Sequence, residues 1–324
     1  MSLYFVAGGA GFIGGHLVQR LLRNPEAEVV VYDNFSSGRM WHLPEYLKRS
    51  NLRVIQGNLR DLDHLKVALP KQTDTVFHLA SNPDIARAVN EPDIDFWEGT
   101  YLTQNLLEAM RMNQVKRLVY ASGSGVYGET GELEVSEQST PLKPISTYGA
   151  SKLACEAMIR AYCHLHDFQS VALRFANVVG SRQTHGVAFD FVRRLLNDPS
   201  RLRILGDGSQ RKSYIHVEDV LDAMLMLREQ GLVGFEEYNV ATSDAMTVTE
   251  IAELCVDRVG ARGARFEYTG GDRGWKGDVP LIRFDTSKIR AKGWAPRRGS
   301  AEALRLAVDS LIEDARAGRF DGER

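Results

Sequence analysis

Tyr148 and Lys152 stand four residues apart at the start of a stretch, through Ala150–His166, whose apolar spacing predicts a long helix. Their side chains therefore share one helix face. A phenol is a poor base at neutral pH, but a neighbouring ammonium favours its phenolate form, and such a pair can move a proton at an alcohol or carbonyl. The same spacing also suits an amphipathic helix that packs one aromatic ring inward. Spacing alone leaves both readings open, and the elements that would carry the pair decide between them.

Those elements alternate. Leu3–Ala7, Glu28–Tyr32, Arg53–Gln56, Thr75–Leu79, Arg117–Ala121 and Ser170–Phe175 read as apolar, β-branched strands. Ile13–Arg23, Leu62–Leu69, Leu102–Met112 and Ala150–His166 read as helices between them. Strands spaced by helices imply a doubly wound parallel sheet of the α/β Rossmann type. After Asn177 the rhythm breaks into short strands and glycine turns, which predicts a smaller C-terminal substrate-binding lobe. The expected limits are 1–176 for the sheet domain, with a return segment at 213–242, and 177–212 plus 243–324 for the lobe.

Between the first strand and first helix lies Gly8-Gly9-Ala10-Gly11-Phe12-Ile13-Gly14. Gly8 permits a tight turn, Gly11 admits a close backbone approach, and Gly14 allows helix and strand to pack, while the helix N-terminus offers N–H donors to a pyrophosphate. Asp33 ends the second strand about twenty residues on, where a carboxylate accepts from an adenosine ribose and repels a 2′-phosphate. NAD is thus favoured over NADP, although Arg39 lies nearby. Asn58, beside Leu59, reads equally as an adenine-edge contact or a turn residue. Leu79, Ala80 and Ser81 follow the fourth strand as a cofactor wall, and His78 before them reads as a core histidine.

Gly8–Gly14, Asp33-Asn34, Val126-Tyr127-Gly128, Tyr148-Gly149-Ala150-Ser151-Lys152 and Arg174-Phe175-Ala176-Asn177 together resemble the extended short-chain dehydrogenase/reductases. Within that family the chain is most similar to the UDP-glucose 4-epimerase group of NAD-dependent epimerases and dehydratases, over nearly its whole length. The resemblance implies that Tyr148 takes a proton from a sugar hydroxyl while NAD takes hydride from the same carbon. The 4-keto sugar then turns in the site and hydride returns to its other face. Lys152 tunes Tyr148 and holds the nicotinamide ribose. The implied cofactor shell also includes Phe12, Ile13, Asn34, Ser37, Gly38, Ser122 and Phe175. Asn177, Arg211, Lys212 and Arg273 would meet a nucleotide diphosphate, and Asp278 the nucleotide ribose. A homodimer through a four-helix bundle, built from the helices near Leu102–Met112 and Ala150–His166, is implied as well, with Cys155 and Cys163 near its interface.

The departures discriminate. Members of the family place Ser or Thr three residues before the Val-Tyr-Gly motif, but here that position is Gly123, so Ser124 is the expected stand-in against the reacting hydroxyl, with Ser122 as the other candidate. The 4,6-dehydratases place an Asp-Glu pair where Ser124 and Gly125 stand, and nucleotide-sugar decarboxylases place Glu at Gly125. Neither elimination nor decarboxylation has its carboxylate here. Gly99 replaces an Asn near the nicotinamide side, and the position usually held by Arg is Lys212.

Composition sets the outer bounds. The 324 residues carry a formal net charge of -2, which provides no global basic field for nucleic acid. No apolar run reaches membrane-spanning length, and three cysteines without metal-ligand spacing fit a reducing, cytoplasmic setting with no metal. The leading expectation is therefore a cytoplasmic nucleotide-sugar epimerase, most simply for UDP-glucose and UDP-galactose. The alternatives are a UDP-N-acetylhexosamine, UDP-uronate or nucleotide-heptose epimerase, a net nucleotide-sugar oxidoreductase, and an NAD-dependent sensor or scaffold.

Overall fold

The computed structural model describes residues 2–43 and 48–320. The chain runs β1 (Ser2–Ala7), α1 (Phe12–Leu21), β2 (Ala27–Asp33), β3 (Leu52–Gln56), α2 (Leu62–Ala68), β4 (Thr75–His78), α3 (Tyr101–Met112) and β5 (Arg117–Gly123). It continues through β6 (Glu134–Val135), α4 (Thr147–His166), β7 (Gln169–Phe175), β8 (Asn177–Val179), α5 (Val187–Asn197), β9 (Arg201–Ile204), β10 (Arg211–Lys212), β11 (Tyr214–His216) and α6 (Val217–Glu229). The rest is β12 (Phe235–Val240), β13 (Met246–Thr247), α7 (Val248–Val259), β14 (Arg265–Tyr268), β15 (Arg283–Phe284), α8 (Ser287–Ala291) and α9 (Ser300–Arg316).

Seven strands form the central sheet in the order β12-β7-β5-β4-β1-β2-β3. The β1–β2, β2–β3, β1–β4 and β4–β5 pairs all run parallel. This is the doubly wound α/β architecture expected from the alternation. Near-continuous apolar strands such as Phe5-Val6-Ala7 and Val29-Val30-Val31 suit a sheet covered on both faces. The strand order reverses between β1 and β4, and the loops that leave these two strands meet there. Such a switch point opens a crevice at the carboxyl ends of the strands.

The chain divides into two compact units. The first, Met1–Val126 with Thr147–Arg174 and Leu221–Tyr238, has a core in which Phe5, Tyr32, Leu65, Leu106, Tyr120 and Ile159 pack together. The second, Tyr127–Ser146 with Phe175–Val220 and Asn239–Arg324, packs Val192, Leu202, Ile204, Ile251, Ala307 and Leu311. In it α7 starts at a reciprocal capping box between Thr247 and Glu250 and stops at Gly260, whose φ of 84° breaks the helix. This division differs from the sequence-based limits chiefly at Tyr127–Ser146. That segment leaves the sheet after β5, pairs β6 in parallel with β15, and sets Tyr127 Oη 2.6 Å from Asn239 Oδ1. A two-residue strand leaves too little periodicity to reveal such a crossing.

Candidate active site

Three side chains on one face of α4, Tyr148, Lys152 and Glu156, meet three successive residues at the end of β5. Lys152 is buried and its Nζ donates to Ala121 O at 2.8 Å, lying 5.4 Å from the Tyr148 ring centre and 5.1 Å from that of Tyr120. Ser122 Oγ donates to Glu156 Oε1 at 2.5 Å. A Cβ built on Gly123 would lie 3.9 Å from Tyr148 Oη, with nothing closer. The expected phenol–ammonium pair is therefore assembled, with Tyr148 half-exposed above the buried Lys152. Space for a small side chain stands open beside the phenol oxygen.

Glu156 was not singled out in the sequence. It and Arg174 are both buried, and Arg174 grips it with Nε at 3.0 Å and Nη2 at 2.7 Å. The Ser122 O–H is committed to this network, so its oxygen could meet a cofactor or substrate only as an acceptor. Ser124 is different. It opens the short 3-10 turn Ser124–Val126, is half-buried, and its hydroxyl has no hydrogen-bond partner among the described residues. A Cβ on Gly125 would lie 3.2 Å from Gly149 Cα, a tight contact that asks α4 to give by a few tenths of an ångström.

Asp95 is a second buried carboxylate that the sequence did not announce. Its Oδ1 accepts from Asn82 Nδ2 at 2.9 Å and its Oδ2 from Thr147 Oγ1 at 2.7 Å, which ties down the residue preceding Tyr148. Ser151 Oγ donates to the Asp95 carbonyl at 2.8 Å and meets Thr100 Oγ1 at 2.9 Å. A π-helical turn, Phe96–Thr100, leads into α3 here, a departure from α geometry that often accompanies functional sites. It explains Gly99, because a Cβ there would sit 2.4 Å from Ser151 Oγ. Ser151 occupies the space that a side chain at 99 would need.

At the dinucleotide end, Gly8 has φ +79°, and a Cβ on it would fall 2.7 Å from Ala80 N and 3.0 Å from Leu79 C. A Cβ on Gly14 would strike Gly8 O at 2.1 Å. These two glycines are required by the meeting of the β1 and β4 loops and by the seating of α1. Gly11 caps α1 without a side-chain hydrogen bond, so the N–H groups of Phe12, Ile13 and Gly14 remain open to an anion. Asp33 is buried, with Oδ2 accepting from Ala10 N at 2.9 Å and Oδ1 from Phe35 N at 2.8 Å. Burial raises its carboxyl above the usual aspartate range, and the two N–H bonds oppose that rise. Both carboxylate oxygens retain a lone pair for a further donor.

Gly38 packs on Asp33 and leaves no room for a Cβ, which would lie 2.7 Å from Oδ1. Ser37 is half-buried. Asn34 Oδ1 takes the Ser36 N–H at 3.0 Å, and Arg39 Nη1 donates to Gly38 O at 2.9 Å. Asn58 Oδ1 accepts from Arg60 N at 2.9 Å as a turn residue does, which leaves its exposed Nδ2 for an adenine edge. The Leu59 side chain is buried in the core, as is Phe175. Leu79, Ala80 and Ser81 are half-buried. His78 is a core residue, with Nε2 2.9 Å from Thr103 Oγ1, and burial together with the Lys152 charge pushes its imidazole down to about 3. Cys155 is fully buried, with Sγ 3.2 Å from Thr103 Oγ1, so it faces the core rather than an outer helix face, and only Cys163 is partly exposed.

The second unit holds the remaining candidates. Lys212 and Asp278 form an ion pair with each other, and Asp278 also accepts from Gly274 N at 3.2 Å. Arg273 pairs with Glu129 at 2.5 Å and with Asp272 at 3.4 Å. Arg211 is exposed, and its charge adds to the Thr247 hydrogen bonds in holding the Glu250 carboxyl below the usual glutamate range. Asn177 Nδ2 donates to Ser213 O at 3.2 Å.

Residues 4–241 match the NAD dependent epimerase/dehydratase family. The chain belongs to this family. It is 33% identical over 311 residues to the UDP-glucose 4-epimerase of Mycolicibacterium smegmatis, covering 94% of this chain and 96% of that one. Among solved structures it is similar to a UDP-galactose 4-epimerase, at 35% identity and TM-score 0.85, over 96% of this chain and 99% of the other. It is also similar to the dTDP-glucose 4,6-dehydratase DesIV of Streptomyces venezuelae with NAD and TYD bound, at 27% identity and TM-score 0.88, over 97% of this chain and 98% of the other. The protein is thus an NAD-dependent enzyme of the epimerase/dehydratase class. The similar structures include both an epimerase and a dehydratase, so the reaction must be read from side chains.

Proposed function

We propose that the chain is a nucleotide-sugar 4-epimerase, acting most simply on UDP-glucose and UDP-galactose. The observation that carries this reading is the β5 end against α4. A phenol–ammonium pair is present, while the two positions that would hold dehydratase carboxylates are Ser124 and Gly125, neither of which carries an acid. Epimerisation needs one proton carrier and no second acid to expel water.

The open N–H groups of Phe12, Ile13 and Gly14 would hold the pyrophosphate of NAD, and the free lone pairs of Asp33 its adenosine ribose. Bound there, NAD supplies the hydride acceptor and donor. Tyr148 Oη takes the proton of the C4 hydroxyl as that carbon loses hydride, and gives it back when hydride returns to the opposite face. Lys152 is held by Ala121 O with its ammonium 5.4 Å from the Tyr148 ring centre, where it would also meet the nicotinamide ribose. Ser124 supplies the second hydrogen bond to the reacting oxygen from its uncommitted hydroxyl. Arg211, Lys212 and Arg273 are the cations for the diphosphate. Substrate would exchange places with Asp278 at Lys212 and with Glu129 at Arg273. Asn177 is a further contact there, and Asp278, once released, accepts from the nucleotide ribose.

We also assign a homodimer. Helices α3 and α4 lie side by side, joined by Gln104 Nε2 to Tyr162 Oη at 2.9 Å. An outward stripe of Ala150, Ala154, Ala157, Ala161 and Leu165 on α4 supports a four-helix bundle with a second copy. The three unpaired cysteines support a reducing, cytoplasmic setting.

The reading is tested with purified protein and UDP-galactose without added NAD. UDP-glucose is the expected product, and Tyr148→Phe should lower kcat by about 10²–10⁴-fold. An unchanged sugar, or a Tyr148→Phe variant with full activity, would overturn it.

A further inference from the structure

Glu156 has no part in the proton step, yet it is the third member of the α4 stripe that meets β5. Lys152 takes Ala121, Glu156 takes Ser122, and Tyr148 stands over Gly123. The three contacts differ in stiffness. Lys152 reaches Ala121 O through a flexible four-carbon stem, and among the described residues no hydrogen bond holds Tyr148 at its place beside Gly123. Glu156 is buried, is held at one oxygen by Ser122, and is gripped at both by the planar guanidinium of Arg174, which projects from β7. A two-pronged charged contact fixes geometry in a way that apolar packing and a lysine tether do not.

We propose that Glu156, together with Arg174 and Ser122, is a positioning residue that sets the register of α4 on β5 and so places Tyr148 Oη above Gly123. This rests on the reading of Tyr148 and Lys152 as the proton-transfer pair. Without the fork, the lysine stem can follow a displaced helix and keep its bond to Ala121, while the phenol drifts from its station. A displacement of about 1 Å at a reacting group is enough to cost on the order of 10²-fold in rate. A buried ion pair that merely held the core together would be replaceable by apolar side chains with little consequence. A pair that fixes register would not be.

The triple variant Ser122→Ala/Glu156→Leu/Arg174→Met removes the network without leaving a buried charge unpaired. In the full chain loaded with NAD, amide hydrogen exchange should quicken in 121–126 and 147–152 and stay unchanged in α7. With UDP-galactose, kcat should fall about tenfold or more while KM stays within about twofold. Unchanged exchange in those two segments overturns the proposal, and so does a wild-type kcat. Should the triple variant not fold, Glu156→Asp decides. It keeps the charge but shortens the arm, and it should lower kcat about tenfold with KM unchanged, whereas wild-type kcat overturns the proposal. Exchange needs no turnover, so it stands apart from the Tyr148→Phe test. Full activity in that variant would sink the reading of the pair and leave the exchange result to be judged on its own.

Discussion

Tyr148 stands beside an absent side chain. At Gly123 a Cβ would be in ordinary contact with the phenol and nothing else, so serine fits without moving α4. A hydroxyl there would add a hydrogen bond to the reacting oxygen, worth about 1 kcal/mol. Gly123→Ser should therefore raise kcat with UDP-galactose up to about fivefold to tenfold, and steady-state kinetics on the folded variant read this directly. A large loss would mean that the open space is taken up by the sugar itself. The phenol–ammonium pair was legible because helical spacing alone puts positions 148 and 152 together. Glu156, Asp95 and the reason for Gly99 were not, since each depends on a contact between distant segments. Ser122 and Glu156 are 34 residues apart, and Asp95 and Thr147 are 52 apart. No local pattern encodes such meetings.

At the scale of elements, the turn between β1 and α1 is fixed by what surrounds it. Gly8 is held at φ +79° with the backbone of Ala80 pressed against it, so the β4 loop and the glycine turn form one surface. Gly8→Ala combines a left-handed backbone with a backbone clash, each costing about 1 kcal/mol or more. The expected result is loss of retained NAD during purification, measured by releasing and quantifying the dinucleotide, together with a lower melting temperature. The strands and helices of the sheet were readable from their periodicity, and the limits of β1, α2, β3 and β4 fall within a residue or two of the expected ones. The π-helical turn at Phe96–Thr100 and the two-residue strand β6 were not. They are set by the side chains and strands that receive them, Ser151 in one case and β15 in the other.

The whole molecule has a fold shared by epimerases and dehydratases. The apolar stripe on α4 runs to Leu165, which is 68% exposed, and the proposed second copy would cover it. Light scattering should give the mass of two chains, and Ala157→Glu, which puts a charge in the middle of that stripe, should give the mass of one. A wild-type monomer would contradict the bundle. The central claim concerns chemistry, and following hydrogen tests it most directly. UDP-galactose should be converted by the purified protein in D₂O without added NAD, and the product examined by proton NMR and mass spectrometry. Inversion at C4 through one proton carrier and an internally returned hydride predicts UDP-glucose with no carbon-bound deuterium. Deuterium on the sugar carbons, a mass lower by one water, or no conversion would contradict it.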